Sequence, residues 1–186
     1  MVALKTPICD FSFKAQDFSL MGVDGEKYTL NKIKGTNGTL VMFICNHCPY
    51  VKAILERLVY DVRALQDLGI GVIAIMSNDQ NEYEEDSFEN MKIIAKKYNF
   101  TFPYTIDETQ ATAKAYGAIC TPDFFGFNKN LKLQYRGRLD ASGKNSAPKD
   151  SPRELFEAME KISKTDYGPI DQTPSIGCSI KWTSND

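Results

Sequence analysis

Apolar and polar residues alternate along "CDFSFKAQDFSLMGVDGEKYTLNKIKGTNG", and Asp24-Gly25 interrupts the alternation. That pattern predicts a β-hairpin near the N-terminus. "TLVMFIC" (39–45) is a continuous apolar, β-rich run, as expected of a strand covered on both faces. From Pro49 to about Leu68 the residues Val51, Ile54, Leu55, Leu58, Val62 and Leu65 recur at helical spacing, and Gly69 follows as a C-terminal cap. "IGVIAIMSN" (70–78) predicts a second buried strand. Residues 85–100 predict a helix that Asp86 or Ser87 would cap. A short strand is expected over 102–107, then a helix ending at Gly117, then a hairpin over 123–139 turning at Asn128-Lys129-Asn130. "SPRELFEAMEKISK" (151–164) predicts an amphipathic closing helix, with Ser151 as N-cap and Pro152 in its first turn. Beyond it, "DYGPIDQTPSIGCSIKWTSND" carries prolines and glycines at a spacing that suits neither helix nor strand for long.

Strands alternating with helices argue for an α/β fold with a parallel portion, and the late hairpin makes the sheet mixed. A chain of 186 residues suits one domain with its own core, here assigned to 1–165, with 166–186 as a tail packed on it. With a net charge of −2 neither sign dominates, and nothing points to a nucleic-acid footprint or a basic membrane-binding face. No apolar run is long enough to span a membrane. The first residues, MVALKTPICD, hold one lysine and no apolar core, so a secretory signal is not expected. Five cysteines, an odd count, fit thiols kept reduced better than a disulfide scaffold, and a cytoplasmic location is expected.

Two of those cysteines carry the chemistry. In "FICNHCPYVK" (43–52), Cys45 is expected to end a strand and Cys48 to lie in the first turn of the next helix. The unpaired amides and positive dipole of a helix N-terminus stabilise a thiolate, the attacking form of cysteine. Cys45 is thus the nucleophile candidate, and Cys48 is placed to resolve the mixed disulfide. Between them, Asn46 and His47 are positioned to tune the pair. A cationic His47 would favour the thiolate and make the dithiol more oxidising; the bland reading is an exposed turn residue without a role. Structural zinc would need a second ligand pair, and Cys120 and Cys178 are isolated, so no metal or other cofactor is expected. A soft ion such as Cu(I) held by Cys45, His47 and Cys48 stays open, as does a buried, inert cysteine pair.

A second constellation is "YGAICTPDFF" (116–125). Pro122 belongs at a strand's first residue or edge, because it donates no ladder hydrogen bond. A cis Thr121-Pro122 bond would expose the Thr121 backbone beside the dithiol, where an extended substrate segment could add as a strand.

The apolar strand ending in CNHCP with its following helix, together with the segment 107–127, resembles the thioredoxin superfamily. More narrowly, F-I-C-N-H-C-P-Y-V-K, S-N-D (77–79), F-P-Y (102–104) and T-P-S-I-G-C-S-I-K-W (173–182) are similar to bacterial redoxins of the AhpC/TSA type. The resemblance implies a thioredoxin fold: a central mixed sheet flanked by helices, with an N-terminal hairpin extension and an irregular C-terminal tail. It implies redox roles for Cys45 and Cys48, with a cis-Pro122 facing them. The peroxiredoxin pattern of proline and threonine ahead of the reactive cysteine falls on Gly38 and Met42, so the peroxide-orienting threonine is missing. Arg136 or Arg138 could bring a guanidinium to the site, although surface pairing is the simpler reading. Cys120, two residues before Pro122, should lie close to the dithiol, either as a redox thiol or as a small buried hydrophobe. Cys178 is an accessory thiol that folds over the site, or else an anchor for the tail with Ile176 and Trp182 packed on the body. Cys9 reads as inert.

The expected activity is thiol–disulfide exchange through Cys45 and Cys48. Its substrate would be a disulfide-containing protein or small thiol compound, with a separate thiol as electron donor and neither nucleic acid nor membrane as partner. A peroxiredoxin-like thiol peroxidase is the alternative, and a metal-binding module the more remote one.

Overall fold

The computed structural model describes residues 3–81 and 83–183. Strand β1 is Ala3–Lys5, and β2 (Ser19–Gly22) and β3 (Lys27–Thr29) form the expected hairpin around Asp24-Gly25. Helix α1 (Leu30–Ile33) is a single turn that periodicity could not reveal; Thr29 caps it by accepting from the Lys32 amide at 3.2 Å. Strand β4 (Gly38–Phe43) stops at Phe43, two residues short of Cys45. Helix α2 (Pro49–Asp67) begins at proline, whose missing N–H would have had no partner there. It ends at Leu68, and Gly69 then takes a φ of 78°. Strand β5 is Ile70–Met76, and α3 (Phe88–Lys97) is capped by Ser87, which accepts from the Asn90 amide. Asp86, the other capping candidate, instead closes a 3-10 turn over Glu84–Asp86.

The second half follows the sequence pattern through β6 (Tyr104–Ile106), α4 (Ala111–Tyr116), β7 (Cys120–Thr121), β8 (Asp123–Phe127) and β9 (Leu133–Tyr135). Helix α5 (Glu154–Thr165) starts three residues after Ser151, with Arg153 at its N-cap. The tail is not irregular throughout, because Ile176–Ser179 forms strand β10.

Seven strands make the central mixed sheet, in the order β3-β2-β6-β5-β4-β8-β9. Strand β4 runs parallel to β5 and antiparallel to β8, so it lies inside the sheet. Its alternate residues feed two cores. Leu40 and Met42 pack with Leu58 and Val62 of α2 and with Leu155 and Ile162 of α5. Val41 and Phe43 pack on the opposite face with Tyr116, Phe125 and Phe127. The Phe43–Phe125 and Tyr116–Phe125 rings meet edge to face with centroids 5.7 and 5.5 Å apart. Cover on both faces is why β4 reads as an uninterrupted apolar run. Among the described residues, no helix is long and apolar enough to cross a membrane.

A second, three-stranded sheet has the order β1-β10-β7. It fastens the tail to the chain just ahead of Pro122, and it alters the site that the sequence predicts.

Candidate active site

The link from β4 to α2, residues 44–48, is built around one buried carboxylate. Asp86 accepts from the Asn46 amide at 2.7 Å, the His47 amide at 3.1 Å, Asn78 Nδ2 at 2.8 Å and His47 Nδ1 at 2.5 Å. Burial alone would raise its pKa, but the donors of His47, Asn78 and Asn46 outweigh burial and hold it below the usual carboxylate value. The Asn46 side chain donates to the Glu85 carbonyl at 2.8 Å and accepts from Tyr104 Oη at 3.0 Å. The His47 ring stacks on Tyr83, with centroids 4.3 Å apart. His47 is therefore not the exposed turn residue of the bland reading. Its Nε2 is buried without a hydrogen-bond partner among the described residues.

This clamp presents Cys45 and Cys48 to Thr121. The Cys45 sulfur lies 3.1 Å from the Thr121 hydroxyl, and the Cys48 sulfur lies 3.1 Å from the Thr121 carbonyl oxygen. The Thr121-Pro122 bond is cis. Both cysteines are shut away, at 1% and 0% exposure. A cavity of about 200 Å³ between α2 and α3 reaches Cys45 and Asn46 and is walled by Leu55, Tyr98, Phe100 and Tyr104.

The helix-terminus argument applied to Cys45 belongs to Cys48, which occupies the N-cap of α2. The Cys45 thiol donates to Cys48 and is the main reason its pKa falls to about 5. Burial opposes that fall, while the Cys178 thiol and the amides of Cys178 and Val51 reinforce it. These donors outnumber the one carbonyl, that of Thr121, which would hold the proton on Cys48. Burial pushes Cys45 well above the ordinary thiol value, and hydrogen bonding to Cys48 and the Asp86 charge push the same way. Cys48 is thus the more acidic member of the pair and Cys45 the less acidic.

Cys178 sits on β10 directly across from Thr121; burial, and then hydrogen bonding to Cys48, raise its pKa to about 12. Cys120 neighbours the site, but burial raises its pKa strongly, and its thiol makes a weak contact to the Pro122 carbonyl at 3.9 Å. Burial likewise lifts Cys9 to about 11, in keeping with an inert residue. Ile176 and Trp182 are only partly covered, each 41% exposed, whereas Ser175, Cys178 and Ile180 are buried and anchor the tail. Neither arginine is available to the dithiol. Arg136 is bound to the buried Asp123 at 2.9 Å and lies over the Phe125 ring, and Arg138 pairs with Glu154 at 2.6 Å.

The most consequential correction concerns the Thr121 backbone. It is not open to an added substrate strand, because β10 already pairs there, with Cys178 opposite Thr121 and Ser179 opposite Cys120. Sequence reasoning gave Asp86 only a helix-capping role, and gave none to Asn78 or Tyr104. The S-N-D and F-P-Y motifs contain two of them, but nothing in their spacing tells a structural tie from a site.

Donor atoms of Cys45, His47 and Asp86 lie within 4.8 Å of one another, close enough to share a metal ion. The Asp86 oxygens are already taken by four N–H donors, and His47 Nδ1 is one of those donors. A tetrahedral ion would leave these groups unpaired, so the donor set suits the dithiol better than a metal.

The thiolate should show as absorbance at 240 nm that persists in the reduced protein at pH 7 and disappears with a midpoint near pH 5. Cys45→Ala removes its main donor, so the midpoint should rise; an unchanged midpoint would contradict that role of Cys45. Asp86→Ala strands several buried donors and should cost about 3–5 kcal/mol in urea denaturation. The Asp86 contribution is complete above roughly pH 4 and is lost only as pH falls through its lowered native pKa.

The AhpC/TSA family profile matches residues 12–136. An uncharacterized conserved protein from Geobacillus kaustophilus is 41% identical, with 100% of this chain and 99% of that one covered at a TM-score of 0.94. A hypothetical protein from Sinorhizobium meliloti 1021 is 36% identical over 97% of this chain and 98% of its own, with a TM-score of 0.91. The thioredoxin domain of a thiol-disulfide oxidoreductase from Bacteroides vulgatus shares the fold, at 16% identity and a TM-score of 0.61, with 83% of this chain and 98% of that one covered. No curated protein matches. With the profile spanning more than half of the chain and the thioredoxin fold around it, the protein belongs to the AhpC/TSA family.

Proposed function

We propose that the protein is a thiol–disulfide oxidoreductase whose working unit is the Cys45–Cys48 dithiol. The observation that carries this reading is the pair itself: two free cysteines bracket the start of α2 and both face Thr121 at 3.1 Å, and the one at the helix N-cap has a lowered pKa. A structural pair has no need of a stabilised thiolate, whereas exchange chemistry does.

The steps balance within the dithiol. Cys45 passes its proton to Cys48 along their hydrogen bond, and the Thr121 hydroxyl can donate to the charge that forms. The Cys45 sulfur attacks the substrate disulfide; a Cys45–substrate bond forms as the substrate S–S bond breaks and one substrate thiolate leaves. Cys48 then gives up its proton and attacks Cys45, forming the Cys45–Cys48 disulfide and releasing the second substrate thiol. A thiol donor, two electrons per turn, restores the dithiol. Substrates would be disulfide-containing proteins or small thiol compounds, and the Thr121-Pro122 segment serves by holding Thr121 against both sulfurs.

Cys48→Ala should trap a mixed disulfide on Cys45 with a disulfide substrate, seen by mass spectrometry of alkylated peptides. An adduct on Cys48 in Cys45→Ala, with none on Cys45 in Cys48→Ala, would reverse the two roles.

Family membership favours thiol peroxidase activity as a second reading. Gly38 and Met42 stand where the peroxiredoxin proline and threonine would be; both lie in β4, and Met42 is buried in the core. Thr121 supplies a hydroxyl to Cys45 from another direction. Stopped-flow mixing with hydrogen peroxide should show oxidation of the reduced protein no faster than that of free cysteine; a rate orders of magnitude faster would establish the peroxidase instead.

A further inference from the structure

An exposed strand edge takes an extended peptide by main-chain hydrogen bonds, and the Thr121 backbone beside the dithiol would by itself be such an edge. Here that edge is filled from within the chain. Strand β10 runs antiparallel to β7, and Cys178 lies opposite Thr121. The fit is close: a Cβ on Gly177 would collide with the Thr121 carbonyl and crowd the Pro122 nitrogen, so only glycine allows the strand to lie there. Ser175, 2% exposed, donates its hydroxyl to the Pro122 carbonyl at 2.8 Å. The strand is tied beyond the site as well. Ser175 exchanges hydrogen bonds with Thr6, Ile180 donates to the Ile119 carbonyl, and Lys181 donates to Asn78 Oδ1. Cys178, 2% exposed, is held opposite Thr121, whose carbonyl oxygen lies 3.1 Å from the Cys48 sulfur.

We propose that β10 is a built-in substrate mimic, with Cys178 placed where the sulfur of a docked substrate strand would lie, and that Cys178 is the internal exchange partner of Cys48. The proposal rests on the reading of Cys45 and Cys48 as a redox dithiol. Once the Cys45–Cys48 disulfide has formed, the Cys178 sulfur attacks Cys48. The Cys48–Cys178 bond forms as the Cys45–Cys48 bond breaks, and the Cys178 proton passes to Cys45. No electrons are gained or lost. The disulfide moves onto the tail, and Cys45 returns as a thiol while Cys48 stays occupied. Seating β10 in the peptide edge also excludes polypeptide strands from it until the tail is displaced.

The test is disulfide mapping after oxidation of the full chain with diamide. Cys45→Ala should yield a Cys48–Cys178 disulfide in most molecules, and Cys45→Ser repeats the measurement if the alanine variant does not fold. In Cys45→Ala with Cys178→Ser, the Cys48 thiol should remain open to alkylation. Gly177→Val, which forces β10 off Thr121, should speed the reaction of wild-type-like dithiol with a small aromatic disulfide at least tenfold and lower the yield of the Cys48–Cys178 linkage. If Cys48 and Cys178 both stay alkylatable in oxidised Cys45→Ala, the inference is overturned while the dithiol reading stands. If the wild type forms no Cys45–Cys48 or Cys48–Cys178 linkage at all, the dithiol reading itself fails.

Discussion

The site depends on a single buried anion. Asp86, fully withdrawn from water, is tolerable only because four N–H donors converge on it. Two of those donors are the consecutive amides of Asn46 and His47, so the carboxylate fixes the backbone between the two cysteines. A third comes from Asn78, just past the end of β5, which runs beside β4. The 3-10 turn before α3, the end of β5 and the start of α2 are thereby joined at one point. The spacing of the two sulfurs from Thr121 follows from that junction. The same negative charge that fixes the loop also opposes a thiolate on Cys45. The clamp thus helps to decide which sulfur carries the charge, without touching either.

What the sequence made legible was local. Strand β4 read correctly as a two-sided buried strand, because the alternation of Leu40 and Met42 against Val41 and Phe43 leaves no polar position. Helix α2 read correctly from its apolar spacing and its Pro49 and Gly69 boundaries. The cysteine pair was legible because two residues at the start of a helix share a turn whatever the rest of the chain does. Asp86 was read as a helix cap on equally local grounds, and Ser87 took that place. Its partners in the loop, Asn46 and His47, are about 40 residues away in sequence, at a separation where no periodicity survives.

The tail was the least legible part for a related reason. A strand of four residues rich in glycine and serine has no alternation to announce it, and β10 exists through its partners. Gly177 was visible as a glycine, but its need for close backbone approach only has meaning once Thr121 and Pro122 lie beneath it. Cys178 was expected to anchor the tail with Ile176 and Trp182 packed beside it, the last two chosen for their hydrophobicity. The buried anchors Ser175, Cys178 and Ile180 flank or belong to β10, and a strand inside a sheet is held by its backbone. Ser175 serves there by satisfying the Pro122 carbonyl, which a following strand cannot reach.

Closure and charge act together at the dithiol. A thiolate inside a dry site costs desolvation energy, and the protein offsets that cost with donors supplied at short range: Cys45 from the loop, Cys178 from β10 and amides from both elements. Two of these donors come from the tail, so the strand that hides Cys48 is also part of what keeps it ionised. Any opening that lets a large substrate in must remove those donors and admit water in their place. Hydration then does for the thiolate what β10 did when closed, and the two states need not differ greatly in the charge they hold. What changes between them is access, and the backbone pairing at Thr121 is the element that controls it.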